Sequence, residues 1–262
     1  MTISLGNALL ALKEDEKWVK KILIGGVIII ALIIATIMME KGDFSILTRL
    51  VGSGLYLILG SFFMGFILSS GSKMINSSSN AMAEWSDKNL LLHGLKFLLC
   101  FIVYAVAFVF LFTLISIVLF LAIGLVLGLI YFVIGLLFHI DCQTASPIFT
   151  LVTTVLSIIF TLYFLQFYNA ANASYLKNLS FKDLMAFKKQ FKMIKENPHA
   201  SWTLVGKEIL YGLLFLFVCF VAAITIIGVI LLPFIYFAAY IVITNLYAQY
   251  GRQIDIGRYL EN

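Results

Sequence analysis

The chain has 262 residues, 62% of them hydrophobic and 12% charged, whereas ordinary globular chains are roughly 45 to 50% apolar and about 25% charged. So few polar side chains cannot cover a water-soluble domain of this size, which excludes that class and predicts an all-α, polytopic membrane protein. The net charge of +5 is of the kind that reports orientation and attraction to anionic lipid, and we expect no nucleic-acid partner.

An interfacial helix is predicted over residues 1–21. Its leucines recur at helical spacing, and a charged stretch then leads to Trp18, a residue typical of headgroup depth, and to Lys20 and Lys21. Residues 22–39 follow without a charge. At about 1.5 Å per residue they are long enough to cross roughly 30 Å of hydrocarbon as the first span.

The second span is predicted from Val51 to about Ser70. Ser61 and Gly65 lie four positions apart within it, and small residues at that spacing let two helices approach closely in lipid. Residues 71–89 are rich in Ser and Asn and are predicted to form a polar loop.

Two long stretches carry no charged residue: positions 97–140 and positions 209–251. Each is about 65 Å long as a helix, which is room for two crossings but not three. A further span is predicted between them, from Pro147 to near Tyr168. If every stretch crosses as often as its length allows, the chain has seven crossings.

The placement of Lys and Arg favours six crossings, with both termini in the cytoplasm. Seven crossings put the lysine cluster between Lys177 and Lys207 on the outer face, whereas six leave only Lys41 and Arg49 there. Positive residues concentrate on the cytoplasmic side of membrane proteins. We therefore predict about six spans in the cell membrane, within a single integral membrane domain over residues 1–262.

Six crossings require one apolar segment that does not span. We place it at residues 118–138, as a re-entrant or interfacial hairpin broken around Gly124 and Gly128 and covered by protein. A competing assignment makes residues 228–250 the non-spanning segment, with its break at Gly228 and Pro233.

A basic amphipathic helix is predicted within the cytoplasmic segment 176–197, starting at Ser180 and ending at Asn197-Pro198. Such a helix lies on an anionic membrane surface. The competing interpretation is that it packs on the ends of the spans and that its lysines only orient the chain. Four apolar residues share one face: Leu184, Phe187, Phe191 and Ile194. The candidate residues for anionic lipid headgroups are Lys182, Lys188, Lys189, Lys192 and Lys195.

A second candidate site is a polar cavity lined by side-chain amides. The predicted spans carry no charged residue near their centres, which counts against proton-coupled transport. Amides within a membrane more often bond from helix to helix than line a cavity. The candidate residues are Gln166, Asn169, Asn172 and Asn245.

No catalytic residue, cofactor or metal site is predicted, and we expect the protein not to be an enzyme. His139, Asp141 and Cys142 fall close together, but their spacing matches no metal-ligand pattern, and we interpret them as part of a polar loop. The sequence contains no H-E-x-x-H, P-loop or nucleophile-elbow pattern.

Several short motifs follow one another along the chain. A lysine-flanked first span runs from Asp15 to Gly26, Ala83-Glu84-Trp85 lies in the following loop, and Gly94-Leu95-Lys96 starts a helix. Asn197-Pro198 and the pair Gly228 and Pro233 come later. This arrangement resembles the family of bacterial and archaeal membrane proteins called domain of unknown function 4013, although Ala83 stands where the family has proline. The resemblance implies a multi-pass membrane protein and supplies no activity.

These features predict a non-enzymatic scaffold or accessory membrane subunit. Its cytoplasmic face would meet anionic lipid headgroups, a membrane-protein partner or a second copy of the chain. The alternative is a transporter or channel for a small or lipidic molecule, with a polar cavity near the midplane between Asn245 and the Gly124 to Gly128 break.

Overall fold

The computed structural model describes residues 3–40, 45–77, 81–138 and 145–260. Every regular element in these ranges is an α-helix, which confirms the predicted all-α class. In chain order the helices are α1 (Leu5–Glu14), α2 (Trp18–Glu40), α3 (Ile46–Asn76), α4 (Leu90–Phe138), α5 (Ala145–Asn178), α6 (Phe181–Leu184), α7 (Phe187–Glu196), α8 (Pro198–Ala223), α9 (Ile226–Gln253) and α10 (Gly257–Leu260).

Within the described residues, five helices are long and apolar enough to cross a bilayer. They are α2, α3, residues Thr154–Asn178 of α5, α8 and α9. Many of their large apolar side chains point outward, and Ile226 is 84% exposed. A contiguous apolar surface of this extent is stable in lipid and not in water. The chain is therefore a multi-pass membrane protein, as the composition predicts.

Contacts divide the chain into two compact units. The first comprises residues 1–100 and 166–262, and the second comprises residues 101–165. In the first unit, α9 is the central helix, because α1, α2, α3 and α8 all pack against it.

The hairpin predicted at residues 118–138 is wrong. Helix α4 runs without interruption from Leu90 to Phe138, through both Gly124 and Gly128. A glycine within a helix costs only about 1 kcal/mol. Breaking the helix in an apolar setting would leave backbone polar groups unpaired at several kcal/mol each, so the helix continues.

The competing assignment for residues 228–250 is also wrong. The chain reverses at Ile224 and Thr225, between α8 and α9, and both helices are long enough to cross. The Thr225 side chain caps α9 by accepting a hydrogen bond from the Gly228 amide at 2.9 Å. A Cβ on Gly228 would overlap the carbonyl oxygen of Ala222, so this tight reversal requires glycine there. Pro233 lies buried inside α9.

Two predicted boundaries lie too early in the chain. Helix α3 continues to Asn76, because Gly71 packs closely against Thr244 and Leu176 and is part of the helix interface. Helix α5 continues past Tyr168 to Asn178. Serine, glycine and asparagine often end helices in water. In α3 and α5, packing against neighbouring helices keeps residues of these types helical.

Small residues bring α3 and α4 into backbone contact, as the spacing of Ser61 and Gly65 predicts. A Cβ on Gly65 would overlap the carbonyl oxygen of Leu90, and a Cβ on Gly94 would overlap that of Ser61. The two glycines therefore face each other across a crossing that no larger residue could occupy.

A buried ammonium group organises one end of the first unit. The side chain of Lys21 is 4% exposed. It forms ion pairs with Asp15 at 2.8 Å and Glu84 at 3.0 Å, and its Nζ donates to the Met82 carbonyl oxygen at 3.2 Å. Asp15 also accepts the Met82 amide at 2.9 Å. We call these four residues the Lys21 clasp.

The clasp divides the segment predicted as one interfacial helix, residues 1–21, into α1 and the start of α2. Asp15 leaves the helix to reach Lys21. Burial works against its ionised form, but hydrogen bonds from Lys21 and from the amides of Lys17 and Met82 hold the pKa of Asp15 below its ordinary value. The hydrogen bond from Lys21 likewise lowers the pKa of Glu84.

Trp85 follows the clasp directly and packs into the first unit. Its indole nitrogen donates to the Lys21 carbonyl oxygen at 3.2 Å. Its ring stacks on Phe66, with 3.8 Å between the ring centroids, and lies 5.8 Å from the ring of Phe237. A Cβ on Gly25 would overlap that Phe237 ring. The loop before α4 is thus fixed against α2, α3 and α9 together.

We predict that Gly65→Ala destabilises the protein by about 1 to 3 kcal/mol, because the added methyl group meets the backbone of α4. Gly54→Ala in the same helix is the control, since a Cβ there has nothing within 4 Å and alanine favours the helix. Thermal unfolding in mild detergent measures both. Equal midpoints for the two variants would contradict the close crossing.

We predict that Lys21→Met costs about 3 to 5 kcal/mol, because it leaves the Asp15 carboxylate buried without its counter-charge. Lys20→Met, at an exposed position, is the matched control. Since the pKa of Asp15 is lowered on folding, the stabilisation is complete above the unfolded value of about 3.9 and is lost as the pH falls through the folded value. Unfolding midpoints against pH should show this acid loss in wild type and Lys20→Met, but much less in Lys21→Met.

Candidate functional site

The predicted amphipathic helix is two helices, α6 and α7, separated by Met185 and Ala186. The buried side chain of Gln190 causes the break between the two helices. Its Nε2 donates to the carbonyl oxygens of Asp183 at 3.2 Å and Leu184 at 2.7 Å, which end α6. Ser180 directly precedes α6, but its hydroxyl makes no capping hydrogen bond.

Helix α7 is attached to the first unit by one narrow face. Gln190 and Met193 are both fully buried, and the Ser174 hydroxyl donates to the Met193 sulfur at 3.7 Å. At the end of α7, the Tyr259 hydroxyl donates to Glu196 at 2.9 Å. The buried face is therefore centred on Gln190 and Met193 and not on the apolar face that contains Phe187 and Phe191.

The candidate lysines occupy the opposite side of these helices. Lys182, Lys188, Lys192 and Lys195 are exposed. Lys189 is half-buried and donates to the carbonyl oxygen of Leu260 at 3.2 Å, which ties α7 to α10. Four of the five predicted residues are thus exposed, and the fifth is partly used in packing.

Two phenylalanines lie exposed among these lysines. Phe191 is 57% exposed and Phe187 is 38% exposed. One side of Phe191 rests on Phe167 of α5, with 6.1 Å between the ring centroids. Exposed phenylalanine beside lysine on a short helix is the arrangement that inserts its apolar side into the membrane interface.

Asn245 is separate from the other predicted amides. It is fully buried, accepts a hydrogen bond from Gln249 at 2.7 Å and donates to the Met74 sulfur at 3.4 Å. Gln249 in turn accepts the Ser4 amide at 2.8 Å. These bonds connect α9 with α3 and with the start of α1, so Asn245 joins helices, which is the more common role of an amide within a membrane. Gly124 and Gly128, the other predicted border of the cavity, belong to the uninterrupted helix α4.

The remaining amides lie along one side of α5, three residues apart. Asn169 Nδ2 donates to Glu208 Oε2 of α8, and the Tyr247 hydroxyl of α9 also hydrogen-bonds to Glu208. Gln166 is buried one turn before Asn169. Asn172 lies one turn after it and hydrogen-bonds to Tyr168. We define the Glu208 cluster as Glu208, Gln166, Asn169 and Tyr247.

Sequence reasoning missed Glu208, because it was treated as the border of the uncharged stretch 209–251. Helix α8 starts at Pro198, so Glu208 is the eleventh of its 26 residues. Helix α8 therefore begins earlier than the uncharged stretch and includes Glu208. The signal was present in Asn197-Pro198, a helix start that already places Glu208 three turns inside the next helix.

Within the described ranges, no group of three or more His, Cys, Asp or Glu side chains lies close enough to hold a metal ion. His139, Asp141 and Cys142 lie outside the described residues.

The motifs through which the sequence resembles the family lie at packing contacts of the first unit. Glu84 and Trp85 form the clasp and the aromatic contact that follows it, and Gly94 faces Ser61. No curated protein and no solved structure matches this chain. The sequence profile described as "Protein of unknown function (DUF4013)" matches residues 52–232, from α3 into α9. Because this match covers more than half of the sequence, the chain belongs to the DUF4013 family.

Proposed function

We propose that this protein is a non-enzymatic, multi-pass scaffold or accessory subunit of the cell membrane that binds anionic lipid headgroups on its cytoplasmic face through α7. One observation carries the proposal. Gln190 and Met193 hold α7 against the first unit, while Phe187, Phe191 and the surrounding lysines remain exposed.

The position of α7 along the chain supports headgroup depth. It follows the end of α5 at Asn178 and directly precedes α8 at Pro198, and both of those helices are candidate spans. A segment that connects the ends of two spans lies at the membrane surface. Trp202, near the start of α8, is 40% exposed, and tryptophan is typical of that depth.

The lysines supply the charge for anionic lipid. Each lysine near an anionic surface contributes about 1 kcal/mol of attraction. Lys192 forms an exposed pair with Glu196 at 3.9 Å, but an exposed pair of this kind contributes little and leaves the ammonium available.

Both termini support a cytoplasmic orientation for this end of the first unit. Ser4, just before α1, is bonded to Gln249 near the end of α9. Leu260 of α10 accepts a hydrogen bond from Lys189 of α7. The two chain ends and the lysine-rich helix therefore share one end of the unit, and clustered positive charge favours the cytoplasm.

Transport of a small molecule is a second candidate function. It is favoured by Glu208, because ionisable residues inside a span mark substrate or ion pathways in many transporters. Transport is an alternative to the scaffold function for the protein as a whole, and it does not depend on α7.

We predict that the triple variant Lys188→Glu, Lys192→Glu and Lys195→Glu lowers the ratio of phosphatidylglycerol to phosphatidylcholine bound to the protein about tenfold or more, since three attractive charges become repulsive. The matched control reverses three exposed lysines elsewhere: Lys13, Lys88 and Lys96. Native mass spectrometry after extraction from mixed-lipid vesicles counts the bound lipids. An equal change in both triple variants would show that α7 has no special role.

We predict that a cysteine placed at position 188 is modified by a membrane-impermeant maleimide only after cells are permeabilised. The same cysteine in inverted vesicles should react at once, which controls for accessibility of the exposed side chain. Rapid labelling from outside intact cells would reverse the proposed orientation.

A further inference from the structure

We propose that the Glu208 cluster is an intramembrane binding site for a monovalent cation, either a proton or an alkali-metal ion. Lipid binding by α7 and cation binding by Glu208 are separate properties, because they use different residues on different helices.

Three helices bring the cluster together inside the first unit. Glu208 of α8 contacts Asn169 of α5 and Tyr247 of α9 through hydrogen bonds to its carboxyl group. Since α8 starts at Pro198, Glu208 lies about 15 Å along the helix axis, well away from the helix end.

Among the described residues, the carboxyl group of Glu208 forms no ion pair. The ion pairs in this part of the chain involve Lys21, Lys192 and Arg258. Lys207 precedes it directly, but adjacent helical residues do not face each other. The other titratable groups near Glu208 are the phenols of Tyr168 and Tyr247, and a phenol carries no positive charge. A carboxylate inside a membrane requires a compensating charge or a proton.

Unpartnered polar atoms of α5, at Asn169 beside Glu208 and at Gln166 one turn earlier, point to a ligand. Asn169 is 1% exposed and Gln166 is 2% exposed. Among the described residues, Asn169 Oδ1 and Gln166 Nε2 have no hydrogen-bond partner. Buried polar groups normally have hydrogen-bond partners. A small polar ligand at this position would supply those partners and remove the cost of burying the two groups unpaired.

The donor set fits a cation. The carboxylate of Glu208, Oδ1 of Asn169 and the hydroxyl of Tyr247 are oxygen ligands, which hard cations prefer. The Gln166 Nε2 group is a donor and can bind the oxygen of an accompanying water molecule. A proton occupies the same site by binding the carboxylate, with the same water donating to Asn169 Oδ1.

Infrared difference spectroscopy of the full-length protein in lipid nanodiscs tests the proposal, because a protonated carboxyl has a carbonyl band that a carboxylate lacks. In one arm the pH is raised from mildly acidic to mildly alkaline. In the other arm, Na⁺ or K⁺ replaces choline at constant pH and ionic strength. We expect at least one arm to change the band of the wild type, and Glu208→Gln to abolish the change completely. Glu16→Gln, at an exposed position outside the spans, should retain it.

The outcomes separate the two cations. A response to pH alone identifies the proton, and a response to Na⁺ or K⁺ at constant pH identifies the alkali-metal ion. A response that survives in Glu208→Gln, or no response in either arm, overturns the proposal. Should Glu208→Gln fail to fold, Tyr247→Phe takes its place. Loss of the hydroxyl that bonds the carboxyl must shift the frequency of the band, and an unshifted band overturns the assigned geometry.

Discussion

The buried ion pair between Lys21 and Asp15 is the interaction on which the first unit depends. It joins the end of α1, the start of α2 and the loop before α4 at a single ammonium group. The same loop then places Trp85 against Phe66 and Phe237, so one charge interaction fixes the aromatic contact between α3 and α9. Glu84 closes the clasp, and the adjacent Trp85 fills the space behind it.

Lipid makes such polar and close-packed contacts decisive. Helices in a bilayer gain little from burying apolar surface against each other, since lipid chains are equally apolar. The contacts that select one arrangement are therefore the Lys21 clasp, the backbone approach at Gly65 and Gly94, and the bonds between Asn245, Gln249 and Met74. Each one lies between different helices, and together they define the packing that exposed leucines and isoleucines leave undetermined.

Composition and charge predicted the all-α class, the apolar spans and the close approach at Ser61 and Gly65, because these depend on local chemistry. The course of α4 could not be predicted from its sequence, since a uniformly apolar stretch has no periodicity to mark a turn, and Gly124 and Gly128 are weak breakers in lipid. The division between α6 and α7 depends on the burial of Gln190, whose side chain donates to the backbone carbonyl groups of Asp183 and Leu184. Glu208 was overlooked because hydropathy assigned it to a boundary, whereas the helix start at Pro198 decides its depth.

The two proposed sites lie at different positions along the chain, and this separates their chemistry. The lysines of α7 precede the helix start at Pro198, and salt screens their charge within about one Debye length, roughly 8 Å at physiological salt. Glu208 lies about 15 Å along α8 from Pro198, so these lysines do not neutralise its carboxylate. The chemistry of the Glu208 cluster is therefore set by Asn169 and Tyr247, which bond to the carboxyl group, and lipid binding and cation binding are independent properties of the two sites.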